Sequence, residues 1–114
     1  MSDQTEPLVI ITREDHAAIM TLNRPSKKNA MSDALLEELI AAITAANRDD
    51  DVRAIVIKGA GSCFTSGRDT SQFEEVALLQ DMSVDAAVDI FLETLSMLIE
   101  SPKPTIAAIH GMAL

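Results

Sequence analysis

The stretch Arg53–Phe73, RAIVIKGAGSCFTSGRDTSQF, decides the fold. Ala54 to Ile57 is an apolar, β-branched run, which is a strand signal. It feeds a glycine-spaced loop, Gly59 to Asp69. A strand that ends this way brings backbone N–H groups to the rim of a sheet, where a ligand oxygen can be held. Gly67 permits a backbone path that a residue with a Cβ resists. Arg68 comes next, and its N–H is the candidate donor into the cleft. The chain closes on Ile106–Leu114, IAAIHGMAL, a second strand with its own glycine turn. The first half of a two-donor site is therefore in view, and the second half is expected beyond it.

The rest of the chain supplies a sheet around these strands. Leu8–Thr12 reads as a strand, Arg13–His16 as a hairpin turn and Ala17–Leu22 as the returning strand. Pro25 ends that strand, because it has no N–H to donate. Ser26–Met31 is a polar loop. Ser32 is a suitable N-cap, with Asp33 favourable in the first turn. Leu35, Leu36, Leu39, Ile40 and Ile43 then follow one helical face, and this helix is expected over Asp33–Asn47. Val52–Lys58 is the third strand, with the composition of one buried on both faces. Thr70–Met82 reads as a short helix or a mobile lid. A second helix runs over Val84–Glu100, stopped by Ser101-Pro102-Lys103-Pro104. Thr105–His110 is a fourth strand, apolar on both faces. Residues 1–7 read as a disordered tail ahead of a single domain over 8–114. The fold class is α/β with some parallel pairing, because strands and helices alternate.

Composition narrows the partners. The 114 residues are 47% hydrophobic, enough for one modest core. A net charge of −9 disfavours nucleic acid, which needs clustered Lys and Arg. The single cysteine, Cys63, rules out an intramolecular disulfide and suits a reducing compartment. No segment has the length of a membrane span. The acidic start, MSDQTEP, lacks the features of a secretory or transit peptide, so a cytoplasmic location is expected.

The chemical alternatives fall away in turn. Gly59-Ala60-Gly61 lacks the third glycine of a dinucleotide fingerprint, since Phe64 stands there. No phosphate loop, nucleophile elbow or His-Glu-x-x-His is present. His16, Cys63 and His110 do not have metal-ligand spacing, so no metal is expected. Cys63 reads as a small buried thiol rather than a nucleophile. His110 at its strand end is a possible base, but a side chain packed or hydrogen-bonded beneath the loop is favoured. Asp69 either touches a ligand or ties down its own loop.

Four segments in register, LNRPSKKNAM (22–31), VRAIVIKGAG (52–61), CFTSGRD (63–69) and KPTIAAIHGMAL (103–114), resemble the crotonase family of enoyl-CoA hydratases and isomerases. The resemblance runs from Leu8 to Leu114 and corresponds to the N-terminal part of that family. It implies a crotonase-like (ClpP/crotonase) spiral of ββα units, truncated here, and trimer-based homo-oligomers in the full-length form. It also implies chemistry on acyl-CoA thioesters, with an enolate held by two backbone N–H groups. Fixed backbone donors suit that task because they need little reorganisation as charge develops.

Carried over by position, Arg68 N–H is the first oxyanion donor. Ser66, Gly67, Arg68, Asp69, Thr70 and Ser71 line the coenzyme A side of the site. Ala30 and the Lys27-Lys28 turn lie nearby, where a lysine can meet a phosphate as a point charge. Coenzyme A enters as part of the substrate, and no permanently bound cofactor is implied. The second donor falls on a glycine run just past Leu114, and the acid/base carboxylates come later still. The present chain alone is therefore expected to be inactive. The competing reading is a non-catalytic coenzyme A-binding or assembly module, or a truncated gene product.

Two positions depart from the family pattern. Arg68 stands where a small or neutral residue is usual, and its long cation is expected to narrow the pocket or reach a phosphate or acidic acyl group. Asp15-His16 stands where glycine is common. The Phe-Thr-Ser-Gly-x-Asp form followed by Gln72-Phe73 leans only faintly toward isomerase-like members. Hydration and isomerisation both remain open.

Overall fold

The computed structural model describes residues 6–68 and 84–113. The expected helix or lid over 70–82 lies outside them. β1 (Val9–Glu14) and β2 (Ala17–Leu22) form an antiparallel hairpin in which Glu14 pairs with Ala17. Two residues remain for the turn, and such turns need a positive φ. Asp15 supplies it at 55°. Asp tolerates this region better than most residues, which is how the turn forms without glycine. Glu6 and Pro7 belong to the expected tail, and the Pro7 carbonyl accepts from Asn23 Nδ2 at 3.0 Å.

A single 3-10 turn over Pro25–Lys27 leads into α1 (Asp33–Arg48). Ser32 Oγ accepts the Leu35 N–H at 3.2 Å, so the expected N-cap forms. Leu35, Leu36, Leu39, Ala42, Ile43 and Ala46 are its buried stripe. At the other end Lys103 Nζ donates to the carbonyls of Ala46 and Asp49, at 2.7 and 2.6 Å. A cation there satisfies orphan carbonyls and opposes the helix dipole. Near its middle, Glu38 Oε1 accepts from the N–H groups of Leu8 and Val9, tying the helix to β1.

α1 carries the chain to β3 (Ala54–Gly59), which pairs parallel to β2. α2 (Val84–Ile99) precedes β4 (Thr105–Ala107), which pairs parallel to β3. The sheet order is β1-β2-β3-β4. The register sets Ala18 beside Ile55 and Met20 beside Ile57, and all four are buried with the stripe of α1. Fully burying each large side chain here contributes about 1.5–3 kcal/mol. Met97 and Leu98 of α2 pack against the same core.

Two expectations are corrected. β3 is not buried on both faces among the described residues. Ile55 and Ile57 are covered, whereas Ala54 and Val56 are half-buried and Lys58 is exposed. The core cluster draws its helical residues onto one face only. The fourth strand is shorter than Thr105–His110, and all three of its residues are exposed. Ala108 N–H still donates to Ile57 O at 2.8 Å, and beyond it the backbone leaves the ladder. The carbonyls of His110 and Met112 accept from Phe64 N–H, and Met112 also accepts from Thr65 N–H. Gly111 turns the chain there at φ 64°. Among the described residues no helix is long and apolar enough to cross a membrane.

Candidate functional site

β2, β3 and β4 run parallel, so the loops after them gather at one edge of the sheet. Ligands in open α/β sheets bind outside such carboxyl ends. The loops are 23–31 after β2, 60–68 after β3 and 108–113 after β4. Backbone bonds join the first two: Ser66 N–H donates to Lys28 O at 2.9 Å, and Met31 N–H donates to Gly67 O at 2.8 Å.

Asn29 is the centre of this junction. Its side chain is fully buried. Its Oδ1 accepts the Arg24 N–H at 2.8 Å. Its Nδ2 donates to Ala60 O, Cys63 O and Phe64 O, at 2.9, 3.0 and 3.1 Å. Its own carbonyl accepts from Thr65 Oγ1 at 2.7 Å, and Thr65 Oγ1 accepts the Gly67 N–H at 3.0 Å. A relay of side-chain bonds thus runs from the proline turn to the residue before Arg68. Gly59 is part of the same fit. A Cβ on it would lie 2.5 Å from Phe64 O and 2.6 Å from Cys63 O.

The 67–68 peptide is oriented by this scaffold. Gly67 sits at φ 104°, a region that favours glycine. Its carbonyl is held by Met31 N–H. In a trans peptide the C=O and the following N–H point in opposite directions. Arg68 N–H is therefore directed away from Met31. Beside this peptide is a cavity of about 270 Å³. Gly67, Phe64 and Thr65 line one wall, with Leu36 and Leu39 of α1 and Phe91 and Leu95 of α2 opposite. Its two threonine hydroxyls are already engaged, Thr65 on Asn29 O and Thr94 on Ile90 O at 2.8 Å. An apolar chain fits such a lining better than a sugar or a base.

Most of the expected residues that are described here come together. Ser66, Gly67 and Arg68 lie against Lys28, Ala30 and Met31, and Lys27 and Lys28 are exposed on the turn. Asp69, Thr70 and Ser71 lie outside the described residues. Cys63 is buried, with Sγ 3.5 Å from Lys28 O, as a packed thiol should be. His110 Nε2 meets Gly61 O at 3.0 Å, the loop tie favoured from sequence, although the side chain is exposed.

The Arg68 side chain does something else than expected. It is not among the residues that line the cavity. Nη1 donates to Met31 O at 2.6 Å and Nη2 pairs with Asp33 Oδ1 at 2.5 Å. The side chain is only 9% exposed. The cation is turned to the start of α1, where a carboxylate and a carbonyl compensate its desolvation. Asn29 and Thr65 were missed in the sequence. The only local signal was an Asn after two lysines in a turn, a residue that tolerates the left-handed region, here at φ 56°.

Comparison with known proteins agrees with this geometry. Residues 12–114 match the enoyl-CoA hydratase/isomerase family. The mouse Delta(3,5)-Delta(2,4)-dienoyl-CoA isomerase, a mitochondrial protein, is 36% identical over 93% of this chain and 35% of its own length. An enoyl-CoA hydratase structure from Bacillus anthracis superposes with a TM-score of 0.81 at 33% identity, over 93% of this chain and 41% of that one. An enoyl-CoA hydratase/isomerase from Xanthobacter autotrophicus Py2 gives 0.79 at 34%, over 91% and 39%. The chain therefore spans about two fifths or less of these relatives. With fold and sequence in agreement over nearly all its length, the chain belongs to the enoyl-CoA hydratase/isomerase family.

Proposed function

We propose that this chain forms the thioester-binding half of an acyl-CoA site, with Arg68 N–H as the first of two oxyanion donors. The observation that carries the reading is the 67–68 peptide. Its carbonyl is tied down on one side, and its N–H is directed the other way beside an apolar cavity. A donor fixed before reaction is worth most where charge develops, and removing one typically costs about 10²–10³ in turnover. The cavity takes the acyl portion. Ser66, Gly67 and Ala30, with Asp69, Thr70 and Ser71, border the coenzyme A side, and Lys27 or Lys28 meets its phosphates. No resident cofactor is required by this chemistry.

The reaction is enoyl-CoA hydration or double-bond isomerisation. Relatives named for each activity match the chain, so the family alone does not separate the two. Nor does it fix the compartment, since one of these relatives is mitochondrial. The single cysteine, Cys63, suits a reducing compartment, in keeping with a cytoplasmic location. A homo-oligomer is supported by the large apolar side chains exposed on α2 and β4, among them Leu92, Ile99 and Ile106.

Calorimetry with crotonyl-CoA tests the site, using the chain expressed in its complete reading frame. Gly67→Val should abolish binding, since a β-branched residue at φ 104° carries strain on the order of 1–3 kcal/mol and displaces the donor peptide. Unchanged affinity in a folded Gly67→Val protein would remove this loop from the thioester site.

A further inference from the structure

We propose that the Arg68 side chain is a positioning residue, a latch that sets the orientation of the peptide whose N–H it carries. The role of that N–H rests on the function proposed above, whereas the latch itself rests on contacts within the chain. Both backbone groups of Met31 are engaged by the same dipeptide. Its N–H donates to Gly67 O, and its carbonyl accepts from Arg68 Nη1. These bonds close a ring through Gly67, Arg68 and Met31. Nη2 extends the ring to Asp33 in the first turn of α1, a helix whose N-terminus is already fixed by Ser32.

A latch is needed at this point because Gly67 has wide backbone freedom. The Asn29–Thr65 relay reaches only as far as Gly67 N–H. On the far side of that N–H, the Gly67 carbonyl and the Arg68 guanidinium fix the peptide plane. A small displacement of a catalytic group can cost up to about a hundredfold in rate. The guanidinium is nearly buried, paired with a carboxylate and absent from the cavity wall, so it is not placed as a phosphate or acyl-group receptor. In this chain an arginine at the donor position therefore contributes through both its backbone and its side chain.

The test compares Arg68→Ala, Arg68→Lys, Asp33→Ala and the Arg68→Ala/Asp33→Ala double variant, each in the complete reading frame. Amide hydrogen exchange needs no activity. Arg68→Ala should speed exchange at Met31, whose N–H is bonded to the latched Gly67 carbonyl, by about tenfold or more, as for loss of one charge-assisted bond. Amides in the middle of α1 should be unchanged, which reports an intact fold. Turnover of crotonyl-CoA should fall about five- to tenfold in Arg68→Ala with KM unchanged, and Arg68→Lys should recover part of it. The double variant should be no slower than Arg68→Ala alone, because coupled partners are not additive. Unchanged exchange at Met31 would overturn the latch whatever the activity. A rise in KM at constant kcat would also overturn it, since the guanidinium would then meet substrate. If the parent fails to bind the thioester, the proposed function falls and the exchange data still decide the latch.

Discussion

Replacing Asn29 with Ala should be among the most damaging single changes outside the apolar core. The side chain is fully buried and engages one N–H and three carbonyls. An amide NH₂ has two hydrogens, so about two of the three carbonyl bonds are formed at full strength at a time. Removing the side chain strands the Arg24 N–H and about two carbonyls. Each buried orphan costs roughly 1–3 kcal/mol, and the lower half of that range applies because part of the loop can take up water. Ala must also hold φ 56°, which costs about 1–2 kcal/mol. The expected loss is about 4–8 kcal/mol, a large part of a typical 5–15 kcal/mol. Urea unfolding followed by far-UV circular dichroism measures it. With a slope of about 2 kcal/mol per molar, the midpoint should drop by roughly 2–4 M. Asn29→Gly separates the two causes, because glycine relieves the backbone and still lacks the bonds. It should recover about 1–2 kcal/mol relative to Ala. Asn29→Asp should be at least as harmful as Ala, since it sets an oxygen against three carbonyls. A loss below about 1 kcal/mol for Asn29→Ala, on a scale where buried orphans cost more, would refute the hub.

Gly59→Ala should leave little folded protein by circular dichroism, because its Cβ would lie 2.5–2.6 Å from backbone oxygens that Asn29 holds in place; a native melting curve would show that the 60–64 backbone moves freely. The 114-residue chain alone should associate, since Ile99 is 82% exposed, Ile109 59% and Ile106 51%, and apolar exposure of this kind drives association; carrying one of the two proposed donors, it should not turn over crotonyl-CoA. Sedimentation and a hydration assay decide it, and a stable monomer with normal turnover would overturn both the association argument and the need for a second donor.

Elements whose cause is local were legible in the sequence. α1 follows from its apolar stripe and from Ser32, and the observed helix differs from the expected one only by Arg48 at its end. The hairpin follows from two short β-branched runs around a charged turn. The glycine loop was also legible, because Gly67 and the strand before it are adjacent in the chain. What was not legible depends on partners far away. The carbonyls that Asn29 serves lie 31 to 35 residues further on. The direction of the Arg68 guanidinium is set by Asp33, 35 residues back. Past the shortened β4 the carbonyls of His110 and Met112 accept from Phe64 and Thr65, distant partners that no periodicity records.

This division explains how an arginine can stand at the proposed donor position. The N–H belongs to the backbone, which Gly67, Thr65 and Asn29 shape as far as the Gly67 N–H. Beyond that point the Arg68 side chain keeps clear of the cavity wall by reaching Met31 O and Asp33, whose carboxylate is half exposed and so retains part of its hydration. A nearly buried cation without those acceptors would be costly to desolvate and would draw the loop toward solvent. The side chain at position 68 is thus tied to the group at the first turn of α1, and a change at one should be felt at the other.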